Sequence, residues 1–128
     1  MNVTKLLMDG LTAKPAAALA PLAKSWLNPA AIEATGLRSE GYQAAERAYV
    51  LQCEGRTGKA EITLRATRQS PVVNPALIVR NWAGSARVLV NGKPAGRIGQ
   101  VFRLAGTDLV VWIELESTQP VTIQIEPQ

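Results

Sequence analysis

Two glutamates, Glu114 and Glu116, stand two residues apart, and five cations, Arg80, Arg87, Lys93, Arg97 and Arg103, fall between residues 80 and 103. Paired carboxylates suit glycoside hydrolysis, which needs an acid and a nucleophile or base facing each other across the sugar. Residues two apart on a strand share one face, so this pair reads as a solvated edge instead. Cations gathered into one patch would suit an acidic polysaccharide, a uronate or a sulfated chain. Alternation sets Arg80 on the face opposite Leu77 and Val79, where it points outward. Aromatic faces suit the C–H side of a pyranose, and the candidates are Trp26, Tyr42, Tyr49, Trp82 and Trp112. Trp112, inside LVVWIEL, reads as core, whereas Trp82 ends a strand beside Ala83-Gly84-Ser85, at a rim where a ring can stack. The carbohydrate-binding candidates are therefore Trp82, Arg80, Arg87, Lys93 and Arg97.

The rest of the inventory argues against chemistry. The chain has no histidine and one cysteine, Cys53. That removes the commonest general base and the commonest metal ligand, and with them Ser-His-Asp and Cys-His arrangements. No catalytic residue, metal site or cofactor is expected. Cys53 lies in a predicted strand and reads as a buried, inert thiol. The net charge of +4 comes from fourteen basic and ten acidic residues with no dense basic run, which gives no case for nucleic acid. No apolar stretch approaches the roughly 20 residues that span a bilayer. Asp9 and Gly10 interrupt the first apolar residues, so 1–14 does not read as a signal peptide. One cysteine leaves the compartment open.

These residues need a scaffold, and the patterning predicts one made of strands. A helical turn or two is expected over 3–8. Leu19, Leu22, Ala23, Trp26 and Leu27 have helical spacing, but Pro21 lacks an N–H and clashes with the preceding turn. Two short helices are expected over 15–27, the second opening on Pro21, with Leu22, Trp26 and Leu27 covering part of a sheet. Residues 30–45 read as a connector. Strands are expected over 46–53, 60–66, 76–82, 86–90, 100–104, 109–115 and 121–126. Asn91-Gly92 marks a hairpin turn, since both central positions of a type I′ turn need positive φ. The fold expected is mostly β: an antiparallel, jelly-roll-like sandwich of about seven strands with a short helical N-terminal segment. Residues 1–45 form the helical segment and connector, and 46–128 the sandwich.

From Tyr49 onward the chain resembles the C-terminal β-sandwich accessory domains of large bacterial polysaccharide-degrading enzymes, lyases and glycoside hydrolases. The residues that carry the likeness are SPVVNPALIVRNW (70–82), VLVNGK (88–93) and TDLVVWIELES (107–117), and KSWLNPA (24–30) resembles the linker before such domains. The resemblance implies an accessory module, a fragment or a stand-alone relative and names no substrate. As a module it has no activity of its own, stabilises or orients a catalytic domain and contacts glycan, and the acidic polysaccharide is the partner that the cations suggest. It also implies a secreted or periplasmic parent enzyme. The alternative is a structural or assembly module that docks onto another protein through a sheet face or the helical segment.

Overall fold

Successive side chains of a strand point to opposite faces, which decides which residues of each strand meet the core. A computed structural model describes residues 16–94, 99–103 and 108–127, with the backbone alone for 16–19 and 99–103. The turn read over 3–8 lies outside the described residues. Helix α1 (Ala16–Leu27) leads into β1 (Ala31–Thr35), β2 (Arg38–Gln43), β3 (Ala48–Gln52) and β4 (Ala60–Arg65). After them come β5 (Val72–Val73), β6 (Ala76–Arg80), β7 (Ala86–Val90) and β8 (Lys93–Pro94). The chain closes with β9 (Gly99–Arg103), β10 (Leu109–Ile113), β11 (Glu116–Ser117) and β12 (Val121–Pro127).

Two five-stranded sheets result: sheet A in the order β1-β4-β12-β7-β8, sheet B in the order β2-β3-β6-β10-β9, with β5 and β11 as a two-stranded ribbon. Pairing is antiparallel except between β3 and β6, which run parallel because the chain visits sheet A as β4 before returning. Ile62 and Leu64 on β4, Val88 and Val90 on β7, and Ile123 and Ile125 on β12 face inward from sheet A. They meet Leu51, Leu77, Val79, Val111 and Ile113 of sheet B, all fully buried. This is a sandwich core.

Sheet B is apolar on its other side too. Ala48, Val50, Ala76, Ile78 and Val110 form a second buried cluster, against which Trp26 and Trp112 pack. The expectation that LVVWIEL is apolar on both faces is met, but Trp112 is not between the layers. It alternates with Val111 and Ile113 and therefore lies on the outer face, half-buried.

Three stretches differ from the sequence reading. The 30–45 stretch is no connector: β1 and β2 are edge strands, one of each sheet. Gly36, between them, sits at φ +86°, and a Cβ there would stand 2.7 Å from the Lys59 carbonyl oxygen, so only glycine fits the switch from one sheet to the other. Helix α1 is a single helix that continues through Pro21. One backbone bond is lost at that residue, and the buried Leu22 and half-buried Trp26 hold the second half against the sandwich. KSWLNPA is likewise no free linker, because Ala30 is buried and its carbonyl accepts a hydrogen bond of 2.7 Å from the Tyr49 hydroxyl.

Two asparagines close the sandwich by one device. Asn91 has φ 50° and Gly92 φ 83°, the positive pair that a type I′ turn requires. Asn91 N–H donates to the Thr122 carbonyl at 2.8 Å, and Thr122 N–H donates to Asn91 Oδ1 at 3.0 Å, so the side chain extends the ladder between β7 and β12. Asn74 (φ 44°) does the same with Leu115: its N–H donates to the carbonyl at 2.7 Å and its Oδ1 accepts from the Leu115 N–H at 3.0 Å. A Gly92→Val variant should lose about 1–3 kcal/mol, from backbone strain alone since the site is sterically open. An unchanged urea midpoint would show that the turn tolerates a β-branched residue.

Candidate functional site

Of the five cations, the two on long strands, Arg80 and Arg87, do not converge. Arg80 ends β6 on the outer face of sheet B, and Arg87 lies on the outer face of sheet A, on the other side of the sandwich. Arg87 Nε is 3.8 Å from Glu126, which also meets Lys59 at 3.5 Å. Elsewhere on that face Arg65 holds Glu33 at 2.7 Å, and Gln124 donates to Glu61 at 3.3 Å. Sheet A thus shows solvent a polar face whose charges are matched. Lys93 is exposed at the start of β8. Arg97 lies outside the described residues, as does the side chain of Arg103. Glu114 and Glu116 are both exposed, Glu114 beyond the end of β10 and Glu116 opposite Val73.

Trp82 requires a correction. It is fully buried in the sandwich core, with its indole N–H 3.3 Å from the Ser85 carbonyl, and offers no face to a sugar. The cause is Asn81, at φ 61°. A left-handed residue interrupts the strand alternation, so Trp82 turns back between the sheets where continued alternation would have turned it out. Cys53 is buried as expected, with Sγ 3.9 Å from the Thr57 hydroxyl.

What the structure does bring together surrounds the C-terminal half of α1. The Arg47 guanidinium lies over the Trp26 ring, 4.2 Å from its centroid. Arg47 has φ 51° at the end of the β2–β3 turn, a conformation that glycine or asparagine adopts more cheaply. The stacking offsets that cost and ties the hairpin to the helix. Behind it, Tyr42 and Tyr49 meet edge to face with centroids 5.2 Å apart. Burial pushes the Tyr42 phenol up to about 12 and Tyr49 higher still. Both stay protonated near neutral pH. The cavity among Ser25, Tyr42, Tyr49 and Asn74 measures about 20 Å³, too small for a sugar.

Outside lies a cleft of about 350 Å³ bounded by Ala23, Trp26, Leu27, Tyr42, Ala44 and Arg47. Leu27 is 81% exposed, the one large exposed apolar side chain among the described residues. Ala20, Ala23, Lys24 and Leu27 all point to solvent, while Leu22 and Ser25 are buried and Trp26 is half-buried. The exposed residues follow the i, i+3, i+4, i+7 spacing of a packing stripe, so α1 carries a second, nearly apolar face. Sequence reading assigned Leu27 to the covered face; Arg47 it missed, having no local signal for a contact with a residue so far back in the chain. Among the described residues no cluster of acidic, cysteine or histidine side chains could hold a metal, and no helix is long and apolar enough to cross a membrane. The chain matches no family model, no curated protein and no solved structure.

Proposed function

We propose that this chain is a non-catalytic β-sandwich module that docks onto the catalytic domain of a larger, polysaccharide-degrading enzyme through the outward face of α1. The observation that supports the reading is the Ala20, Ala23, Leu27 stripe with Leu27 exposed beside the Trp26 cleft. A stripe of small and apolar residues at this spacing, here with Lys24 among them, is a surface that another helix can pack on. The catalytic domain as occupant follows from the resemblance. Grip on an acidic polysaccharide, read from the cations and Trp82, has less support, because Trp82 is buried and Arg80 and Arg87 lie on opposite faces.

A photoreactive residue placed at position 27 of the protein in its native host tests this. It is expected to cross-link to a polysaccharide-degrading catalytic domain, in the same polypeptide or in another, while the same residue at position 63 on sheet A does not. Cross-links from 63 and none from 27, or a partner with no such domain, would overturn the reading. Retardation of the purified chain in gels containing polygalacturonate or chondroitin sulfate, relieved by Arg80→Ala, would move the function to glycan binding. Release of reducing ends by the purified chain would make it an enzyme.

A further inference from the structure

A sheet edge exposes backbone N–H and C=O groups that another strand can pair with, and stable proteins blunt their edges. Three edges of this sandwich have described side chains. The β8 edge is two residues long and ends on Pro94, which has no N–H to offer. The β2 edge is broken by a register shift between Ser39 and Tyr42 and carries Arg38 and Glu40. The β1 edge has no proline and no register shift, and Glu33 is its one charge. All five of its residues pair with β4 in continuous register, and it has no neighbouring strand on its other side among the described residues. Its sequence, AIEAT, contains no proline, glycine or lysine.

The side chains of β1 are also incompletely covered. Ile32 and Ala34 face the core and pack against it, and both are only partly buried, so each leaves some apolar surface at this edge. On the outer face stands Glu33, whose side chain is 61% exposed and whose Oε2 is reached by Arg65 from the β4 side.

We propose that β1 is an acceptor edge that takes an extended segment of another polypeptide as a sixth strand of sheet A, apolar at the residues over the core and carrying Lys or Arg opposite Glu33. Backbone pairing gives such strand addition its affinity, and the alternate side chains give its specificity. Apolar residues of the segment would cover Ile32 and Ala34. A cation across from Glu33 makes the favourable cross-strand pair. A second copy of the chain is disfavoured by the same residue. Well-overlapped two-fold pairings that keep Ile32 and Ala34 over the core set the two Glu33 carboxylates opposite each other or one diagonal step apart, where like charges repel. This inference is independent of the α1 face.

The probes are two capped heptapeptides that alternate Val and Thr, one with Lys and one with Glu at the centre, added to the ¹⁵N-labelled chain. The Lys peptide is expected to shift the amide resonances of β1 and to slow their hydrogen exchange. The Glu peptide should bind about threefold more weakly, the size of a cross-strand charge effect. Glu33→Lys, an exposed change that leaves the core untouched, should reverse the preference. The proposal is overturned if millimolar peptide leaves β1 unmoved, if the shifts fall elsewhere, or if Glu33→Lys leaves the preference unchanged. Shifts in β1 that follow protein concentration without peptide would assign the edge to a second copy instead.

Discussion

Trp82→Ala is expected to remove about 3–5 kcal/mol of stability, the cost of deleting a large ring from a core that cannot collapse around the space. The ring is fully buried between the sheets, and its indole N–H ties the end of the β6 segment to the turn before β7. Trp112→Ala should cost clearly less, because that ring lies half-buried on the outer face of sheet B. The two variants, unfolded in urea side by side, make the comparison internal. Equal losses would show that the layer between the sheets does not depend on Trp82 as its packing implies.

Asn74→Ala should be the most damaging change of a polar residue, at about 2–4 kcal/mol. Two terms add: a part-buried Leu115 N–H left without its acceptor, and an alanine forced to positive φ. Asn74→Gly separates them, since glycine accepts the backbone and lacks only the oxygen. Its loss should be about 1–2 kcal/mol. If glycine proves as costly as alanine, the hydrogen bond carries the whole effect; if neither midpoint moves, the ladder to Leu115 contributes nothing.

The legible parts of this fold are those where side chains decide pairing. Residues 60–66 and 121–126 alternate cleanly and form β4 and β12 almost residue for residue. AIEAT and RSEGYQ were invisible as strands because alanine has weak strand preference and β2 is nearly all polar. Both exist because one side of a central strand needed a backbone partner, a demand that their own side chains do not record. The candidate site was less legible still. Parity along β6 stops at Asn81, and a positive φ at a non-glycine residue leaves no mark in local composition, so Trp82 lies in the core and not at the rim that sequence assigns it. Arg47 reaches Trp26 only because a hairpin turn delivers it.

The position of β12 has a consequence for synthesis. It is the last strand made, yet it lies in the middle of sheet A, between β4 and β7. Until residue 127 has left the ribosome, β4 and β7 each present an unpaired edge, and Ile62, Leu64, Val88 and Val90 have no lid between them. Sequential emergence therefore cannot build this sheet outward from one side. The nascent chain must keep two apolar half-sheets apart until the keystone strand arrives, the period in which pairing with a wrong partner is most probable. The polar residues Glu61, Thr63 and Arg65 on β4, alternating with its apolar ones, are then a safeguard during translation as well as a wet surface in the finished molecule.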